Sequence, residues 1–428
     1  MRTLVTDIGE LVTNDPARPG LLGTVADAAF LIDDGRVAWV GSSADRNLGD
    51  QSNPDLGPAD QIVSARGAAV IPGFVDSHNH LLFAGERSAE FAARMAGESY
   101  SAGGIATTVA ATRAASDAEL EANLRALLAQ ALHSGTTTVE IKSGYGLTVA
   151  DELRALRIAA RYTSEATLMA AHVLPPEYRD DPDAYVDLVI EEMIPAVAAQ
   201  GLARWVDVFC EEGAFTEAQT ERIVTAAGTA GLLARIHANQ LTAGGALRLA
   251  ARLRCASADH ATFASAEDLR ALAAAGTVAT LLPAIEFSTR QPYPDARRYY
   301  AAGVDVAIAS DTNPGSGFSN SIPFSIALAV RDMRFTVEQA IHAATAGGAK
   351  ALRRTDVGGI FPGQRADFSI LDAPGYRYLA YRPGVAQIAR VYRGGEQVAE
   401  NPAPYYFDRT ADRRDRTDHA PQNHEETR

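Results

Sequence analysis

Cysteine is nearly missing from this chain, with Cys210 and Cys255 the only two. So few, placed far apart, exclude a disulfide framework and a cysteine-built zinc site, and they fit a reducing compartment. Lysine is almost as scarce: Lys142 and Lys350 stand alone among 39 basic residues, and the rest are arginine. The formal net charge of -14 opposes non-specific nucleic-acid binding, so an anionic substrate needs a local cation. No apolar run approaches the roughly 20 residues of a membrane span, and a soluble chain without membrane partners is expected. Asp7 and Glu10 interrupt the N-terminus before any apolar signal segment develops, which points to the cytoplasm. Neither G-x-G-x-x-G after the first strand nor G-x-x-x-x-G-K-[ST] occurs, which argues against an open nucleotide-binding sheet.

What is present is the material of a globular protein, 428 residues with 47% hydrophobic and 21% charged side chains. Residues 1–70 read as short strands between turns, with Asp34-Gly35 joining two apolar runs as a hairpin. Residues 71–352 alternate apolar runs with amphipathic helices, the pattern of βα units and a parallel sheet. Helices are expected from Asp117 to His133, from Thr148 to Tyr162 and from Glu217 to Ala230. Residues 353–407 return to strands and turns, and the two ends are expected to pair as a small β-sandwich domain beside the central block. Residues 408–428 mix both charge signs with almost no apolar side chains, which predicts a disordered tail. Eight candidate strands run from "FVDSHNHL" through "TTTVEIKS", "TLMAAHVL", "WVDVFCEE", "LLARIHANQ", "CASADHA" and "TVATLLPA" to "VDVAIASDT". The fold class is therefore α/β, a (β/α)8 TIM-like barrel.

The first of these runs ends in His78-Asn79-His80. Alternation along a strand sends both imidazoles to one side, where two nitrogens can bind one ion. Barrels of this kind place the active site at the C-terminal strand ends. There the chain sets His78 and His80, His172, His237, His260 and Asp311, five of its nine histidines and one carboxylate. Such convergence is the mark of a metal-dependent site.

His-x-His on strand one, single histidines on strands five and six, and Asp311 on strand eight resemble the amidohydrolase superfamily of metal-dependent hydrolases. The elements "KSGYGL" (Lys142 to Leu147), "HVLP" (His172 to Pro175), "SADH" (Ser257 to His260) and "SDTNPGS" (Ser310 to Ser316) bring it closest to members acting on 4-imidazolone-5-propanoate. Those enzymes open its cyclic amide to N-formimidoyl-L-glutamate in histidine degradation. The resemblance implies His78, His80, His237 and Asp311 as ligands of one divalent ion, Zn or Fe. Strand four ends Phe209-Cys210-Glu211-Glu212 without the lysine that holds a second ion in many members, and Lys142 is not a substitute. It implies Arg87, Tyr100, Tyr145, His172, Asn313, Gly315 and Ser316 as substrate contacts, with the Arg87 guanidinium suited to grip a carboxylate. A homodimer is a further implication.

Gln240 stands where related deaminases, and some members acting on the imidazolone, carry a glutamate that shuttles protons; an amide only exchanges hydrogen bonds with the substrate ring. Proton traffic then falls to Asp311 as general base, with His260 polarising the carbonyl oxygen. Two rivals are a heterocycle deaminase, disfavoured by Gln240 and "KSGYGL", and a non-catalytic barrel, which would show eroded ligand positions.

Overall fold

The computed structural model describes residues 1–43, 58–97 and 104–401. Eight parallel strand segments form the central block. They are Phe74–Asp76, then Thr136–Val139 continued by Ile141–Lys142, Ala166–Ala171, Trp205–Cys210, Leu233–Ala238, Ser257–His260, Val278–Leu281 and Val306–Ile308. The second strand is interrupted at Glu140, whose N–H still bonds the Asp76 carbonyl at 2.9 Å. Beyond the last strand, the Asp311 N–H donates to the His78 carbonyl at 3.0 Å and the His80 N–H to the Thr312 carbonyl at 3.0 Å. Those two bonds join the first and eighth strands and complete the ring.

The strands are short and apolar because both faces are covered; every residue of Ala166–Ala171 is buried. The helix Asp117–His133 buries Leu120, Leu124, Leu127 and Ala131, a repeat of three to four residues that makes one apolar stripe. Ser116 and Glu119 form a capping box at its start, and loss of such a cap costs about 1 kcal/mol. The other two expected helices are shorter than read, Val149–Ala159 and Glu217–Thr229.

Both chain ends enter one eight-stranded sheet. Phe368–Leu371 pairs antiparallel with Ala69–Pro72, which lies beside Arg2–Leu11, and the Asp34-Gly35 hairpin joins Val25–Asp33 to Arg36–Ser42. A register shift interrupts the pairing of Arg2–Leu11 with Val25–Asp33 between Val5 and Ile8. Val5, Ile8, Phe30, Phe368 and Tyr392 form a core of their own there. Among the described residues these strands hydrogen-bond into a single sheet. The tail and Tyr100 lie outside the described residues. No helix among the described residues is long and apolar enough to cross a membrane.

Candidate active site

The strand carrying the histidine pair stops at Asp76, so simple alternation along a strand does not aim His78 and His80. Their backbone is held instead by the bonds to Asp311 and Thr312 that join the ring. His80 Nε2 and His237 Nε2 lie 3.2 Å apart. His78 Nε2 and His80 Nε2 lie 3.7 and 3.5 Å from one oxygen of Asp311, and His260 Nε2 lies 3.7 Å from the other. All five side chains are buried.

The outer nitrogens explain which inner ones are free to bind. His78 Nδ1 meets Asp259 Oδ2 at 2.6 Å, and His237 Nδ1 meets Asp207 Oδ1 at 3.0 Å. A carboxylate only accepts, so each Nδ1 carries a proton and each Nε2 points inward. His78 Nε2 has no hydrogen-bond partner among the described residues. The Nε2 atoms of His80 and His237 face each other at 3.2 Å beside His78 Nε2, and three imidazoles with a carboxylate suit a divalent ion. The donor set therefore fits the expected metal. Burial chiefly, and then Lys142 for His78 and neighbouring histidines for His80 and His260, hold these three rings well below the usual histidine range, in the neutral form that binds metal. Burial likewise pushes the Asp311 carboxyl well above its usual range.

Beneath these rings lies a charged layer that the sequence reading missed. Lys142 Nζ touches Glu140 Oε1 at 2.9 Å and Asp207 Oδ2 at 2.8 Å. Arg235 reaches Glu140 at 3.4 Å and Asp259 at 3.5 Å, and donates to the Ser77 carbonyl at 2.6 Å. All five side chains are 0% exposed. Burial raises the Asp207 carboxyl, but His237, Lys142 and Arg235 more than reverse this and hold it well below its usual range. The signal for this layer was present, as one charged residue within each of three barrel strands: Asp207 in "WVDVFC", Arg235 in "LARIHA" and Asp259 in "SADH".

The pocket over the histidines is lined by Tyr145, His172, Gln240, Asn313, Ser316 and Arg87, and also by Ile105 and Phe209, two apolar walls the sequence did not single out. The His172 ring stacks on His80 with centroids 4.9 Å apart. Its Nδ1 meets the Gly144 carbonyl at 3.0 Å, leaving Nε2 as an acceptor; burial lowers its pKa to about 3, so the ring is neutral. Asn313 ties the eighth-strand loop together: Nδ2 donates to Asp311 Oδ1 at 3.2 Å, and Oδ1 accepts from the N–H groups of Gly315 and Ser316 at 2.9 and 2.7 Å. Arg87 opens on the pocket but spends Nε and Nη2 on Glu90, at 2.8 and 2.7 Å. Its Nη1 packs on Gly315, where a Cβ would approach to 2.1 Å, so Gly315 makes room for the guanidinium. Three non-glycine residues at the strand ends, Asn239, His260 and Asp311, have φ of 51, 69 and 47°, left-handed values that cost about 1–3 kcal/mol each and cluster where side chains must be aimed.

The barrel, the strand-end histidines and Asp311 define a metal-dependent hydrolase. The amidohydrolase family matches residues 69–398, and the chain belongs to that family. It is 58% identical over 394 residues to an imidazolonepropionase of Salinispora arenicola, with 92% of this chain and 97% of that protein covered. An imidazolonepropionase of Streptomyces coelicolor is 58% identical over 396 residues, with 92% and 98% covered. Within the amidohydrolases the chain thus groups with the imidazolonepropionases. A mutant atrazine chlorohydrolase from Arthrobacter aurescens, complexed with zinc and atraton, shares the fold at TM-score 0.71 and 19% identity, over 96% of this chain and 98% of that one.

Proposed function

We infer that this chain hydrolyses the cyclic amide of 4-imidazolone-5-propanoate to N-formimidoyl-L-glutamate, a step of histidine degradation in the cytoplasm. The observation that carries the reading is the identity of more than half to imidazolonepropionases over nearly the whole length, in a chain whose three inward Nε2 atoms and one carboxylate converge. His78, His80, His237 and Asp311 would hold one divalent ion, Zn or Fe. Such an ion supplies Lewis acidity toward water and the amide oxygen.

The chain's own residues do the rest. Arg87 binds the propionate through the Nη1 and Nη2 N–H groups that Glu90 does not take, with Tyr100 and Tyr145 completing recognition and Asn313, Gly315 and Ser316 shaping the wall. His172 accepts a ring N–H at Nε2, and Gln240 exchanges hydrogen bonds with the ring. Asp311 takes a proton from the attacking water; the new C–O bond forms at the ring carbonyl carbon. His260 faces the oxygen as its charge grows. The amide C–N bond then breaks and Asp311 returns the same proton to the departing nitrogen, so water is consumed and no group is left unbalanced. In this reading residues 71–352 form the catalytic barrel, 1–70 and 353–407 together one small β-sandwich domain, and 408–428 a tail. A homodimer belongs to the same reading, as the resemblance to the family implies.

Loss of the imidazolone ultraviolet absorbance on adding the protein tests this reading. A chelator should abolish the loss, and Zn or Fe, whichever is native, should restore it. Metal-replete protein that leaves the absorbance unchanged, or that releases ammonia, refutes it.

A further inference from the structure

Glu152 is fully buried, yet it stands in the first turn of the helix Val149–Ala159, where a carboxylate ordinarily faces solvent and serves the helix N-terminus. That capping task is already done by Thr148, whose side chain accepts from the Asp151 N–H. Glu152 turns the other way. Its Oε1 accepts from the N–H groups of Gly146 and Leu147 at 3.0 and 2.8 Å, and its Oε2 from Gly144 at 3.1 Å. One carboxylate therefore gathers three amides of the "GYGL" turn, the geometry in which backbone N–H groups bind an anion.

That turn carries two walls of the pocket. Tyr145 sits between the gathered amides, with its ring 5.2 Å from that of His172. The residue whose N–H is held, Gly144, presents its carbonyl to His172 Nδ1 at 3.0 Å. Gly144 has a φ of 105°, and a Cβ there would stand 3.1 Å from that nitrogen, so the carbonyl, the glycine and the imidazole form one close-fitted unit. A bond from Nδ1 to a carbonyl fixes the tautomer and leaves His172 Nε2 as an acceptor toward the pocket.

We propose that Glu152 is a positioning residue, which sets the Gly144–Leu147 turn so that Tyr145 and the Nε2 acceptor of His172 meet the substrate ring. It rests on the functional reading above and adds what selects the ring: a heterocycle must offer an N–H donor at that point.

The test is Glu152→Gln, which keeps the shape but turns an NH2 toward backbone donors. The variant should fold and retain its full divalent-ion content. It should raise KM about tenfold or more with kcat changed less than about threefold, the pattern of lost ground-state positioning. Added to Tyr145→Phe/His172→Ala, it should cost less than about twofold more, because its effect passes through those two side chains. In free protein, nitrogen NMR should show His172 losing its single Nδ1–H tautomer. Glu152→Asp, which withdraws the charge by one methylene, carries the same test if the glutamine variant does not fold. An unchanged KM, an equal cost in the Tyr145→Phe/His172→Ala background, or a wild-type His172 spectrum overturns the proposal, as does a chain that neither variant allows to fold. Wild-type protein inactive on the imidazolone would refute the functional reading instead, while the His172 spectrum still decides the role of Glu152.

Discussion

Replacing Lys142 with methionine removes a buried ammonium of similar length from between two carboxylates. At 2.9 Å from Glu140 and 2.8 Å from Asp207, each contact carries about 6 kcal/mol of gross attraction at an effective dielectric of 20. Desolvation of the three charges offsets most of this, and breaking a buried pair by deleting one member leaves a net loss of about 3–5 kcal/mol. Arg235, 3.4 Å from Glu140, remains as the nearest compensation for three carboxylates. Equilibrium urea unfolding should therefore show Lys142→Met destabilised by about 3–5 kcal/mol. Glu140→Gln/Lys142→Met should recover about half of that or more, since removing both members of a buried pair is far closer to neutral. A single variant within about 1 kcal/mol of wild type, or a double variant no better than the single, would show that Lys142 is not the counter-ion of this layer.

Asp311→Asn should give a folded protein by circular dichroism with no measurable turnover of the imidazolone, because the amide can neither accept the proton from water nor return it; undiminished activity would remove Asp311 from the mechanism. Arg87→Gln should raise KM about 10- to 100-fold, the equivalent of the 1.5–3 kcal/mol of a charge-assisted hydrogen bond, with a smaller effect on kcat. Glu286 is buried and accepts a hydrogen bond from Thr262 at 2.8 Å, and burial pushes its carboxyl up from 4.5 to about 7. The unfolded chain then loses this proton first, so the group lowers stability as pH rises from 4.5 to 7 and holds that cost above 7. Glu286→Gln should accordingly be more stable than wild type at pH 8 by up to about 3 kcal/mol and show no such gain near pH 4.5. Urea midpoints that differ equally at both pH values would contradict the assignment.

Much of the barrel and part of the site follow from local pattern. Eight apolar runs, the caps Ser116, Thr148 and Thr216 and the placement of His172, His237, His260 and Asp311 at strand ends are set by side-chain period and turn chemistry within a few residues, and the sequence alone determines them. What only the tertiary structure decided is which buried charges meet. Asp207 and Asp259 fix the tautomers of His237 and His78, Lys142 lies between Glu140 and Asp207, and Glu90 takes half of Arg87. Glu152 looks from sequence like any acid of a helix first turn, until burial shows it facing the loop. These partners come from separate strands and loops. Their pairing depends on which strands are neighbours around the ring and on the low dielectric between them, where a charge without its counter-ion is costly and a misplaced one is not tolerated.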